Sequence, residues 1–282
     1  MTLTDDALAT LAQLAADAAL AAGRYVAATR PSRVERKDGG GSLAAQVVTE
    51  VDRASQQILL DTLAPSLERY DLAMLSEERP DDGGRLEKDH FWCIDPIDGT
   101  LCFVDDRPGY AVSVALVSRA GAPLIGVVHD PVNDVLYRAL RGHGAWRNGV
   151  AWHPDLSARD HAPTVFTDSS ELARPTFAAV AADVGAKPGA QGGAVMNAVR
   201  CLEAPPACYF KQTKATPGGG CFWDFAATAC LYREVGAWVS DVAGAPLELN
   251  RRDSLRLNHC GVLYATNESL ARRVIDAVAR HG

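Results

Sequence analysis

Residues 4–28 place Leu8, Leu11, Leu14 and Ala15 at helical spacing, with Asp5 and Asp6 where a first turn favours acids. The pattern predicts a long amphipathic helix there and a second over 52–63. Further on, the period shortens. Apolar runs at 91–94, 111–118, 124–129 and 135–140 predict strands. The run from Val112 to Leu116 alternates poorly, which suits a strand buried on both faces. Asp130-Pro131-Val132-Asn133-Asp134 separates two of these runs and predicts a hairpin loop. Asn148-Gly149 marks a turn inside the short 143–152 segment. After residue 162 come a strand at 164–167 and a helix at 176–184. A glycine-rich connector at 185–193 leads into a helix through Arg200. An Ala-rich helix over 225–235 is ended by Gly236, followed by strands at 237–240 and 261–265. A last helix at 268–280 is capped by Asn267 or Thr266. The chain thus predicts an α+β or α/β fold in two mixed halves, 1–160 and 161–282.

One segment carries chemistry as well as pattern: Trp92-Cys93-Ile94-Asp95-Pro96-Ile97-Asp98-Gly99-Thr100. The proline fixes its own φ and pushes the residue before it towards extended geometry. Two carboxylates should therefore emerge close together on a stiff turn at a strand tip. Like charges held that close are costly without a cation. Oxygen ligands suit Mg²⁺, which commonly binds substrate phosphate as well. The other reading is an acidic surface turn, because Asp-Pro and Asp-Gly are ordinary turn dipeptides.

A second acid, Asp224, follows three glycines, Gly218 to Gly220, at the start of the Ala-rich helix. An N-cap role accounts for it locally. The glycines also permit close backbone approach to a ligand, and a helix N-terminus attracts anions. Glu77 and Glu78 follow the short apolar run 72–75, where solvated loop charges are the simple account.

Composition narrows the class. The chain has 282 residues, 48% of them apolar, with 28 Lys and Arg against 35 Asp and Glu, for a formal charge of −7. There is no basic stripe, so neither a nucleic-acid polymer nor a membrane is an expected partner. In an acidic chain that takes an anionic substrate, bound metal would set the local sign of charge. The 7 cysteines show no zinc spacing and read as reduced core thiols of a cytoplasmic protein, Cys102 and Cys221 included. His129 reads as a strand-end residue. The N-terminal segment is broken by Asp5, Asp6 and Asp17 and does not read as a signal peptide, and no run is long enough for a membrane span.

Taken together and in this order, these segments resemble the inositol monophosphatase family of Mg²⁺-dependent, lithium-sensitive phosphomonoesterases. The 95–100 motif, with Trp92 upstream and Phe103 downstream, is similar to the family's first signature. Trp223-Asp224-Phe225-Ala226-Ala227 is similar to the second, and Val48-Thr49-Glu50-Val51-Asp52 to an upstream element. The resemblance runs from about Lys37 to about Ala265 and implies the layered α-β-α-β-α sandwich of these enzymes.

It also implies roles. Glu77, Asp95 and the Ile97 carbonyl would hold a first Mg²⁺, and Asp95, Asp98 and Asp224 a second. A third, weaker ion would lean on Glu77. Thr100 and Asp52 would orient and deprotonate the attacking water, and the Gly99 and Thr100 amides would bind phosphate. Lys37 would approach the site from the glycine-rich loop at 35–42; a solvated linker is the alternative. Lys211 and Lys214 would read a second phosphate, or else are solvated loop charges.

Several positions depart from the pattern. Cys102 stands where Asn is frequent, Asp105 where a basic or small residue is usual, and Thr228 where the signature often ends in Gly. Pro217 stands where animal inositol monophosphatases carry a Glu that touches the inositol ring. The implied substrate is a small phosphorylated metabolite of the inositol-monophosphate kind. The alternatives are a 3'(2'),5'-bisphosphate nucleotide, then histidinol phosphate or fructose 1,6-bisphosphate, and, in a different class, a non-catalytic binding homologue. The family commonly forms homodimers.

Overall fold

In the computed structural model, residues 3–36, 47–158, 161–216 and 218–282 are described. The chain begins with α1 (Asp5–Ala28), the short strands β1 (Val34–Arg36) and β2 (Val47–Thr49), and α2 (Glu50–Arg69). Then come β3 (Leu72–Ser76), α3 (Gly84–Glu87), β4 (His90–Asp98) and α4 (Thr100–Val104). The meander β5 (Ala111–Ser118), β6 (Pro123–Asp130), β7 (Val135–Leu140), β8 (Gly144–Arg147) and β9 (Val150–Ala151) follows. The later part holds β10 (Thr164–Phe166), α5 (Ser169–Leu172), α6 (Pro175–Asp183), β11 (Lys187–Pro188), α7 (Ala194–Glu203) and β12 (Ala207–Lys211). It closes with α8 (Phe222–Val235), β13 (Trp238–Ser240), β14 (Val262–Ala265) and α9 (Glu268–His281).

Two sheets organise the molecule. A seven-stranded sheet runs β3-β4-β5-β6-β7-β8-β9, parallel at β3/β4 and antiparallel elsewhere. A five-stranded sheet runs β11-β10-β12-β14-β13. Helices α1 and α2 cover one face of the first sheet, α7 and α8 lie between the sheets, and α6 and α9 cover the outer face of the second. This is the expected α-β-α-β-α sandwich.

Alternation along the strands builds it. On β4, Trp92 and Ile94 join the core under α1 and α2, while Phe91 and Cys93 join the core around α8. On β12, Ala207 and Tyr209 face the middle layer, and Cys208 and Phe210 face α6 and α9. The β5 run is buried on both faces, as its poor alternation implies: Val114 and Leu116 pack one way, Ala115 and Val117 the other. Gly126 on β6 lets α8 approach closely, since a Cβ there would lie 2.2 Å from the Ala227 carbonyl.

The structure corrects several expected boundaries. The strand expected to stop at Ile94 continues through the acidic motif to Asp98. Its register against β5 shifts between Asp95 and Asp98, where Pro96 has no N–H to offer the ladder. Helix α2 starts at Glu50, because Thr49 and Asp52 form a reciprocal capping box. Helix α8 starts at Phe222, so Asp224 is in its first turn and is not its N-cap. Asn267 caps α9; the Thr266 hydroxyl instead accepts from the Ala207 amide at 3.1 Å. Among the described residues no helix is long and apolar enough to cross a membrane.

Candidate metal centre

The acidic residues converge from two directions. The shifted end of β4 delivers Asp95 and Asp98, both buried, and the first turn of α8 delivers Asp224. One carboxylate oxygen from each lies within 4.8 Å of the others. Every one of these side chains is also tied to nearby backbone. Asp95 accepts from the Ile97 amide at 3.0 Å, and Asp224 from the Cys221 amide at 2.7 Å. Asp98 accepts from the first two amides of α7, Ala194 at 3.0 Å and Val195 at 2.9 Å. Those bonds orient the carboxylates and leave lone pairs directed into a shared space.

Electrostatically the cluster is dominated by burial and by its own like charges. Burial pushes the Asp95 carboxyl well above the usual range, and the charges of Glu77, Asp98 and Asp224 push it further. Asp98 is raised by burial and by Asp224. Asp224 is raised by burial, which the nearby Lys211 partly offsets. Three oxygen donors that resist ionising together fit a hard divalent cation, whose charge would repay their desolvation.

Thr100 opens α4, and its hydroxyl lies 3.1 Å from both Asp52 Oδ1 and the Ile97 carbonyl. The other Asp52 oxygen accepts from the Thr49 amide at 2.8 Å and the Thr49 hydroxyl at 2.6 Å. Asp52 therefore both caps α2 and meets Thr100; its burial raises the carboxyl. Gly99, at φ 84°, makes the turn into α4 in a conformation that favours glycine.

Asp95, Asp98, Thr100 and Asp224 border a cleft of about 490 Å³ that also includes Glu77, Ile97, Gly99, Lys211 and Lys214, with Asp52 behind Thr100. The expected site residues are thus brought together, with one exception: Lys37 lies outside the described residues, as does Pro217. The lysines are not solvated loop charges. Lys211 ends β12 and pairs with Asp168 at 2.9 Å; Lys214 pairs with the buried Glu171 at 2.8 Å. Burial favours a protonated Asp168 and an uncharged Lys211, yet their attraction prevails, depressing the Asp168 pKa and raising that of Lys211.

The 185–193 segment is not a plain connector either. Gln191, Gly192 and Gly193 line the cleft, and a Cβ on Gly193 would lie 2.2 Å from Asp98 Oδ2. Sequence reasoning also passed over Asp168, Glu171, Arg107, Ser254 and Arg256. The spacing Asp168-Ser169-Ser170-Glu171 was a readable helix-start signal. Nothing local signalled its pairing with lysines about 43 residues away, since Asp168 and Lys211 meet only because β10 and β12 pair side by side in the second sheet. The seven cysteines are free thiols, and all but Cys260 are buried. Burial raises Cys93, Cys102 and Cys221, which makes them packing groups. His129 is the penultimate residue of β6 and faces Asp134 at 3.1 Å.

Comparisons with known proteins identify the family and the fold. The model of the inositol monophosphatase family matches residues 7–282. The Escherichia coli protein named Nus factor SuhB is 31% identical over 243 residues, covering 82% of this chain and 85% of that one. The 3'(2'),5'-bisphosphate nucleotidase CysQ of Shigella flexneri is 30% identical over 213 residues, covering 73% and 81%. Among solved structures, the extragenic suppressor protein suhB from Bartonella henselae superposes with a TM-score of 0.75 at 22% identity, over 95% of this chain and 98% of that one. An inositol monophosphatase from Anabaena superposes with a TM-score of 0.71 at 21% identity, over 98% and 97%. With a family model matched over nearly its whole length, the chain belongs to the inositol monophosphatase family.

Proposed function

We propose that the protein is a Mg²⁺-dependent phosphomonoesterase that hydrolyses a small phosphorylated metabolite to an alcohol and inorganic phosphate. The observation that carries this reading is the convergence of Asp95, Asp98 and Asp224 within 4.8 Å, beside the Thr100–Asp52 pair. Glu77, Asp95 and the Ile97 carbonyl would hold one ion, and Asp95, Asp98 and Asp224 another, with Glu77 offering a weaker third position. When bound, the ions would supply charge neutralisation and a more acidic water.

The chain's own groups do the rest. Thr100 donates towards Asp52, which leaves its hydroxyl oxygen free to accept a proton from water and pass its own to Asp52. The raised Asp52 carboxyl is a better proton acceptor than an exposed aspartate. The Gly99 turn sets the start of α4 against the cleft, where its amides would meet the phosphate. Phosphoryl transfer asks mainly for such positioning and charge neutralisation, with no protein nucleophile.

A second reading, a 3'(2'),5'-bisphosphate nucleotide as substrate, is favoured by the relative named for that activity. The buried free thiols fit the reducing cytoplasm. The test is phosphate release from inositol 1-phosphate, 3'-phosphoadenosine 5'-phosphate, fructose 1,6-bisphosphate and histidinol phosphate, with Mg²⁺, EDTA or lithium. Metal-dependent release from one of them is expected. Mg²⁺ binding without release from any would overturn the reading and leave a binding role.

A further inference from the structure

We propose that Arg256 reads a second anionic group on the substrate, a phosphate or a carboxylate, at the rim of the metal cleft. The proposal rests on the phosphatase reading and concerns which substrates that site prefers.

Charge accounting singles out this residue. Of the cations bordering the cleft, Lys211 is paired with Asp168 and Lys214 with Glu171. Arg107 lies 3.3 Å from Asp105 and donates to the Gln191 carbonyl at 3.5 Å. Two divalent ions would balance Glu77, Asp95, Asp98 and Asp224. Arg256 is left over: among the described residues the side chain of this half-buried residue has no hydrogen bond and no ion pair, although it lines the same cleft. A guanidinium without an acceptor in a cleft presents donors that a bound anion would meet. Its fork of donors matches phosphate or carboxylate in a bidentate manner.

The residue is also held in place. The Leu255 carbonyl accepts from the Phe222 amide at 3.0 Å, and the Leu257 amide donates to the Gly220 carbonyl at 3.1 Å. An antiparallel bridge joins Arg256 to Cys221, and the Ser254 hydroxyl accepts from the Arg256 amide at 3.0 Å. These bonds tie the loop to the start of α8, the helix that carries Asp224, so Arg256 stands at a set distance from the metal cluster. That placement agrees with its charge being among those that offset the burial of Asp224. The anchoring is all backbone or Ser254, so changing the Arg256 side chain leaves it intact.

The test uses two substrate pairs that differ only in the second anion: 3'-phosphoadenosine 5'-phosphate against 3'-AMP, and 2-phosphoglycerate against glycerol 2-phosphate. In Arg256→Gln, the ratio of kcat/KM for the member with the second anionic group over its partner should fall about tenfold to a hundredfold, mostly through KM. Arg256→Lys should recover part of it. The pair that shows the fall tells phosphate from carboxylate. An equal loss for both members of each pair, or a weakened Mg²⁺ dependence, would overturn the proposal and make Arg256 a counter-ion of Asp224. If the unaltered protein releases no phosphate, the same compounds are titrated calorimetrically into the Mg²⁺-loaded protein. An Arg256-dependent difference in Kd then upholds the proposal while the phosphatase reading falls, and its absence overturns the proposal too.

Discussion

Replacing Gly193 by alanine separates a packing argument from a backbone argument by the sign of its effect. The backbone at Gly193 has φ −62° and ψ 169°, which any residue adopts. If conformation were all that mattered, alanine would stabilise the fold by about 0.4–1 kcal/mol by restricting the unfolded chain. The neighbours say otherwise. An alanine Cβ would lie 2.2 Å from Asp98 Oδ2, 2.7 Å from Asp98 Cγ and 2.8 Å from Gly99 Cα, where ordinary contact begins at 3.4 Å. Asp98 cannot swing aside cheaply, because its two oxygens are held by Ala194 and Val195. Relief therefore requires the start of α7 to move by roughly 1 Å, which stretches both hydrogen bonds beyond useful length.

Overpacking typically costs ~1–3 kcal/mol, and each hydrogen bond to a charged group contributes ~1.5–3 kcal/mol. Partial relaxation leaves a net loss of about 3 kcal/mol. Asp98 would also shift against Asp95 and Asp224, and a misplacement near 1 Å costs about a hundredfold in rate. Urea unfolding and Mg²⁺-dependent phosphate release measure the two effects. A Gly193→Ala protein that is more stable than the parent, with full activity, would refute the close approach of α7 to the metal motif.

Two other substitutions follow from the same electrostatics. Asp95→Asn removes one charge from a buried cluster of like charges; the metal-free protein should melt higher, Mg²⁺ should no longer raise its Tm, and phosphate release should fall about a thousandfold or more. A folded variant with near-normal turnover would eliminate this site. Asp168→Asn keeps an N-cap for α5 but strands Lys211. Breaking a fully buried pair costs ~3–5 kcal/mol, and the slight exposure of both groups brings the expectation to about 2–3 kcal/mol at neutral pH. Because the Asp168 pKa is depressed, its stabilisation is present above the ordinary carboxylate pKa of ~4 and is lost as pH falls through the depressed value. Urea unfolding from pH 7 down to 3 should show the variant losing less than the parent on the acid side; parallel curves would contradict the depressed pKa.

What the sequence determined by itself was local. Period and breakers placed most helices and strands, because amphipathic spacing and terminators such as Gly236 act within a few residues. Asp95 and Asp98 stood out along the chain because two carboxylates three residues apart at a strand end restrict the chemistry, whereas Asp224 joined them only through the resemblance to the family. Even there the strand end was misjudged: pairing with β5 carries β4 through Pro96, a long-range effect that no local signal reports. Only the tertiary structure decided which charges remain unbalanced. Lys211 and Lys214 look like free cations along the chain, yet α5 folds Asp168 and Glu171 against them. Gly193 looks like a linker glycine, yet its missing side chain admits α7 to Asp98. Ion pairs and close contacts between segments far apart in the chain depend on how the two sheets enclose α7 and α8, and that arrangement follows from burial of the whole surface and not from any short stretch of it.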